Sequence, residues 1–228
     1  LRQQGLRVEQ EACWGQPGFD QPLARLSALA PDLVVSGLMP AGKRQKRMRT
    51  RPADWLLARR CPYPLMFVAQ TASQLPRRVL AAVGITGSDL HHGDPVTAHL
   101  VRFAIHMAAL CNAELRLLHV FPYRRPSAGV RLSAGFRSLH RELLGAAQQG
   151  FSRLIKQHGV PADQATFLES SGDEAGTINR YVAAQAADLV VIGAGGTDQL
   201  ALGSVAEALL HLAGRDLLLV RRPSGESL

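Results

Sequence analysis

The chain has 228 residues, 46% of them apolar and 19% charged, which allows one large domain or two modest ones with a substantial core. No apolar run reaches the roughly 18 residues of a membrane-spanning helix, and the opening LRQQGLRVEQE has no signal-peptide core, so the cytoplasm is the expected compartment. Cys13, Cys61 and Cys111 are odd in number and lack C-x-x-C spacing, which argues against a disulfide framework or a zinc site.

The formal charge of +8 is uneven: residues 1–72 carry 11 Lys/Arg against 5 Asp/Glu, and residues 73–228 carry 15 against 13. Six of the cations lie between Lys43 and Arg51, in KRQKRMRTR. Lys43, Arg44, Lys46 and Arg47 are candidate contacts for an anion or a nucleic acid, beside the plainer reading of a solvated loop. The run has no interleaved aromatics and no recognised nucleic-acid module, which ranks nucleic-acid binding last.

In chain order, DQPLARLSALA (20–30) reads as a helix, LVVSGL (33–38) as a strand, ADWLLARR (53–60) as a helix and PLMFVA (64–69) as a strand. A polar linker, QTASQLP (70–76), follows. Five strands are then expected at 78–85, 113–120, 164–169, 188–193 and 216–221, with helices near 95–110, 136–158, 173–186 and 204–213. Strands that are apolar on both faces, alternating with helices, predict an open, doubly wound, parallel five-stranded α/β sheet.

The string APDLVVSGL (30–38) returns as AADLVVIGA (186–194), at an offset of 156 residues. ADWLLARRCPYPLMFV (53–68) likewise parallels AEALLHLAGRDLLLV (206–220), so the chain is expected to hold one unit twice. Residues 1–72 then form a partial first domain, its last three strand units, and residues 73–228 a complete second one. The first unit lacks its opening strands and the chain starts without Met, so a shortened form of a longer polypeptide is expected. Too short to close a sheet alone, residues 1–72 must dock on the second domain, pair with another chain or stay poorly ordered.

The βα order, with LRLLHVF, ADLVVIGAGG, GSVAEALL and DLLLVRRP, resembles the universal stress protein family, in particular its tandem-domain members. The resemblance covers nearly the whole chain and implies a stress-response protein whose second domain binds ATP or another small anion. Nucleotide-binding members carry G-x-x-G, nine residues, then G-[S/T]. Such glycines let backbone N–H groups approach phosphate oxygens at a helix start. The resemblance implies a site at Gly84, Ile85, Thr86, Val120, Gly193, Gly195, Gly196, Gly203, Ser204 and Val205. It also implies pairing through the last strands, here PLMFVA (64–69) with DLLLVR (216–221) within the chain, and leaves a homodimer open.

The sequence departs from that pattern in three places. Only six residues, TDQLAL, separate Gly196 from Gly203, and Asp198 puts a negative charge among them. In the first unit Pro40 and Thr50 stand where the second and third glycines belong. Nucleotide-binding members place an adenine-recognising Asp at the end of the first strand, where this chain has Gly84; Thr86, Ser88 and Asp89 follow at different spacing. The glycines at 193–203 therefore fit either a phosphate cradle or a plain strand-to-helix turn.

Other features point to structure more than chemistry. His119, closing LRLLHV, is expected to pack, His91-His92 beside Asp89 and Asp94 lack metal-ligand spacing, and Asp173-Glu174 read as a helix cap. Arg124 and Arg125 could meet an anion from a crossover loop. No nucleophile elbow, Walker loop or dinucleotide fingerprint is present, so dedicated catalysis has no positive support. The leading expectation is a non-catalytic stress-response protein that binds ATP or another small anion; the alternative is a ligand-free scaffold of the same fold.

Overall fold

A computed structural model describes residues 7, 9, 20–38, 52–69, 75–85, 95–122, 134–170, 172–194, 202–212 and 215–221. The chain divides into two compact units, residues 1–31 and residues 32–228. In the first, helix α1 (Asp20–Leu29) ends where the Ala30 amide donates to Leu26 O and Ala30 takes a left-handed φ of 43°.

The second unit holds one sheet. Its strands are β1 (Val34–Leu38), β2 (Leu65–Ala69), β3 (Arg78–Val83), β4 (Glu114–Pro122), β5 (Ala165–Ser170), β6 (Leu189–Gly193) and β7 (Asp216–Val220). Helices α2 (Pro52–Arg60), α3 (Pro95–Cys111), α4 (Ala134–Gln157), α5 (Glu174–Ala184) and α6 (Ser204–Leu212) connect them. The strand order is β1-β2-β7-β6-β3-β4-β5. Every neighbouring pair is parallel except β2 and β7, which run antiparallel.

Among the described residues the sheet therefore has seven strands, not the five expected. The β7 edge of the five-strand block meets β2, so the strands of residues 34–69 extend the same hydrogen-bonded layer. Its last members add as a parallel pair, β1 on β2, in the order strand, nine-residue helix, strand that β6, α6 and β7 also follow.

Side-chain alternation assigns the two faces. Val79, Ala81 and Val83 of β3, Leu117 of β4, Leu189 and Val191 of β6, and Leu218 and Val220 of β7 meet Leu100, Val101 and Ala104 of α3 and Phe151 and Leu154 of α4 in one buried cluster. The opposite face takes α5, whose Tyr181 hydroxyl bonds Thr166 of β5 at 2.7 Å, and α6 packs on α5. Asp173 caps α5 by accepting from the Gly176 amide at 2.8 Å, as the sequence pattern predicts; a Cβ on Gly176 would collide with that carboxylate.

Two buried charged side chains stand at the β2–β7 junction. Asp216 accepts from the Ala69 amide at 2.8 Å, and burial, with the Asp188 charge adding a lesser push, holds its carboxyl above the usual carboxylate range. Arg221 donates to the carbonyls of Ala58 and, at 2.9 Å, Arg59, the C-terminal end of α2; burial lowers its affinity for the proton.

A raised carboxyl pKa means that the folded chain binds the Asp216 proton more tightly than the unfolded chain. Its contribution is complete below the unfolded value and is lost as pH rises through the folded one. Asp216→Asn keeps the acceptor for Ala69 and removes the charge. It is expected to melt above the wild type at pH 7, by a margin that shrinks toward pH 4; a margin that grows on acidification would contradict the sign.

Candidate functional site

The site follows from the order in which the strands are used. From β3 the chain moves outward to β4 and β5, then crosses back to β6 and β7 on the other side. The helix after β3 lies on one face and the helix after β6 on the other, which opens a crevice beyond the carboxyl ends of β3 and β6.

Gly84 and Ile85 follow β3 at that crevice. Val83 is in register with His119 and Ala82 with Ile192, so Gly84 stands level with Val120 of β4 and with Ala194 just past Gly193. The Ala194 amide is fixed by Val220 O at 2.8 Å. The fold thus brings Gly84, Ile85, Val120 and Gly193 to one edge. Gly203, Ser204 and Val205 open α6, which must start from this same edge because β6 and β7 are parallel. Thr86, Gly195 and Gly196 lie outside the described residues, as do Lys43, Arg44, Lys46, Arg47, Pro40, Thr50, Asp198, Ser88, Asp89, His91, His92, Asp94, Arg124 and Arg125.

The glycines differ in why they are glycine. Gly203 has a φ of 77°, and its carbonyl accepts from the Glu207 amide at 3.0 Å, so it is the left-handed N-cap of α6 and has a purely conformational reason to stay. A Cβ on Gly193 would meet only Leu100 Cδ1 at 3.6 Å, an ordinary contact. Among the described residues, a Cβ on Gly84 would meet nothing within 4 Å. Neither of these two is required by packing or by a left-handed backbone.

One neighbour of the crevice was missed in the sequence. Thr97, 6% exposed in the first turn of α3, donates from Oγ1 to Gly84 O at 3.0 Å and holds the backbone after β3 in place. Its signal was Pro95, a helix-starting residue that placed Thr97 in the first turn. His119 is 2% exposed, with its ring centroid 5.1 Å from Phe167 and 5.9 Å from Phe151. Its Nδ1 meets Val83 O at 2.9 Å, and since a carbonyl only accepts, Nδ1 carries the proton. The ring is a packing element that ties β4 to the end of β3.

Among the described residues no three His, Cys, Asp or Glu side chains gather as a metal site, and no helix is long and apolar enough to cross a membrane. An open depression of about 870 Å³ runs along α4 past Gln148, Gln149, Ser152, Arg153 and Lys156. Its described lining is a single helix face, without the glycines and strand ends that form the crevice.

The family profile described as Universal stress protein family matches residues 77–221, well over half of the chain. The chain belongs to the universal stress protein family. Among relatives, it is 27% identical over 199 residues to the universal stress protein E homolog of Haemophilus influenzae, covering 82% of this chain and 61% of the relative. It is 22% identical over 221 residues to universal stress protein E of Salmonella typhi, covering 95% and 69%. The chain thus spans less than two thirds of the length of the Haemophilus relative. A crystal structure of a functionally unknown protein from Pseudomonas aeruginosa PAO1 shares the fold with a TM-score of 0.75 at 21% identity, over 96% of this chain and 73% of that one. A universal stress protein from Archaeoglobus fulgidus aligns with a TM-score of 0.52 at 16% identity, over 90% and 67%. These place the chain in a family of stress-response proteins with an α/β, largely parallel sheet.

Proposed function

We propose that this protein is a cytoplasmic, non-catalytic stress-response protein whose residues 73–228 bind ATP or another small anion and signal through a change of conformation or partner. The observation that carries the reading is that Gly84 and Gly193 end adjacent strands at the strand-order reversal although neither packing nor φ requires glycine there. Absent side chains at such an edge let a ligand approach the backbone closely, and the helix starts of α3 and α6 contribute positive partial charge beside it. Gly84, Ile85, Thr86 and Val120 would face the base and sugar. Gly193, Gly195, Gly196, Gly203, Ser204 and Val205 would face the phosphates.

Residues 1–72 are, in this reading, part of a first copy of the same domain. Support comes from Ala30 and Ala186, which lie 156 residues apart, each just before a DLVV strand, and have left-handed φ values of 43° and 47°. Alanine rarely takes that conformation, so its recurrence at matched helix ends favours common descent over chance.

The test is thermal. ATP at ten times its dissociation constant adds about 1.4 kcal/mol to stability, or about 3–6 °C for a chain of this size. Gly196→Val is expected to abolish the rise. Gly84→Asp, which supplies the carboxylate that nucleotide-binding relatives use for adenine at a position with free space, is expected to enlarge it. No shift in either the wild type or Gly84→Asp would leave the scaffold reading in its place.

A further inference from the structure

The helices on the two faces of the sheet differ in charge. Helices α3 and α4 hold Arg102, Arg137, Arg141, Arg153 and Lys156 against the carboxylate of Glu142, whereas α5 and α6 on the opposite face hold Arg180 against Glu174 and Glu207. Every one of those α3 and α4 cations is exposed. Among the described residues no carboxylate lies within ion-pair distance of Arg102, Arg141, Arg153 or Lys156. Glu169 of β5 reaches this layer and meets His140 at 3.8 Å.

The positive charge is broad. From Arg137 to Lys156 it extends about 28 Å along α4 at ~1.5 Å per residue, and Arg102 carries it onto α3. Such a spread suits a plane of anions, where each cation finds its own counter-charge, better than a single small anion. Leu139 and Leu143, one turn apart on α4 and close to Arg137, Arg141 and Glu142, are 53% and 48% exposed. A leucine ridge flanked by arginines can put its aliphatic carbon among acyl chains while the guanidinium groups stay level with lipid headgroups. Neither alternative macromolecule uses both features. A protein interface places aromatic or aliphatic anchors in pockets, but the depression beside α4 offers Gln148, Gln149, Ser152, Arg153 and Lys156. A nucleic-acid contact built on phosphates has no use for the leucines.

We propose that the α3–α4 face is a docking surface for an anionic lipid bilayer. The folded protein lies on it peripherally, with Leu139 and Leu143 inserted and Arg102, Arg137, Arg141, Arg153 and Lys156 against the headgroups.

Co-sedimentation of the full chain with vesicles tests this. Binding is expected to phosphatidylcholine vesicles containing about one third phosphatidylserine and not to phosphatidylcholine alone, and it is expected to fall as salt screens the charge. At roughly fivefold per cation near an anionic surface, Arg153→Gln is expected to lower the partition coefficient about fivefold, and Arg141→Gln with Arg153→Gln about 25-fold. Arg180→Gln makes the same charge change on the opposite face and is expected to alter it less than about twofold. Leu139→Ser with Leu143→Ser leaves the net charge unchanged and is expected to lower it at least about tenfold. Circular dichroism melting checks that each variant is folded; should the leucine pair fail to fold, the arginine variants alone decide. Equal losses from Arg153→Gln and Arg180→Gln would mean attraction by net charge without a docking face, and overturn the proposal. Undiminished binding by a folded leucine variant overturns it too. So does a wild type that ignores the mixed vesicles, even if it binds polyglutamate or RNA.

Discussion

Deletion of Arg215–Arg222 is expected to leave the chain insoluble. All five residues of β7 are buried, and the strand sits between β2 and β6, so its loss cuts the sheet in two. Leu217, Leu218, Leu219 and Val220 are at most 3% exposed. Four buried aliphatic side chains contribute about 6–12 kcal/mol at ~1.5–3 kcal/mol each, comparable to the whole ~5–15 kcal/mol stability of an ordinary domain. The deletion also removes Arg215, which donates to Ala187 O, and the Arg221 contacts to α2. Two raw strand edges, on β2 and β6, would remain as templates for aggregation. Partition between supernatant and pellet after expression, with circular dichroism on any soluble fraction, measures the outcome; a soluble deletion that melts cooperatively would show that β7 is dispensable.

Much of this architecture was legible because apolar runs bounded by Gly, Pro and polar residues leave little choice of element. The five strands from residue 78 onward and the four helices between them were read within two or three residues of their ends, and Pro95 and Ser204 marked two helix starts directly. How exposed the strands of residues 34–69 would be was less legible. The tetrapeptide DLVV occurs at Asp32–Val35 and Asp188–Val191, yet Val35 is 59% exposed and Val191 is 0% exposed. Local sequence specified a strand in both cases, and burial was decided by whether a neighbour lies on the far side: β6 has β3 there, whereas β1 is the last strand of the sheet among the described residues. Asp216 and Arg221 escaped notice for a related reason. Their partners are backbone groups 147 and 163 residues away, and backbone atoms carry no sequence signature. At the crevice, by contrast, the strand-end glycines were visible in the sequence, while the reason for each required geometry: a left-handed cap for Gly203, open space for Gly84.

Phe67→Ala is expected to cost about 3–5 kcal/mol, against less than about 0.5 kcal/mol for Val35→Ala. Both residues lie on the strands that extend the sheet beyond β7, so a comparison separates burial from mere membership of this segment. Phe67 is 0% exposed and stands opposite Leu217, and its removal leaves a cavity at the end of a ladder only three pairs long. If the unit unfolds as one, the loss appears as a fall of about 6–20 °C in Tm. If residues 34–69 open by themselves, hydrogen exchange would instead show the amides of β1 and β2 losing protection while those of β3 and β6 keep theirs. Either pattern means that the β2–β7 seam is a working part of the core. A Phe67→Ala protein indistinguishable from Val35→Ala in both measurements would mean that β2 adds backbone pairing to the sheet and little else.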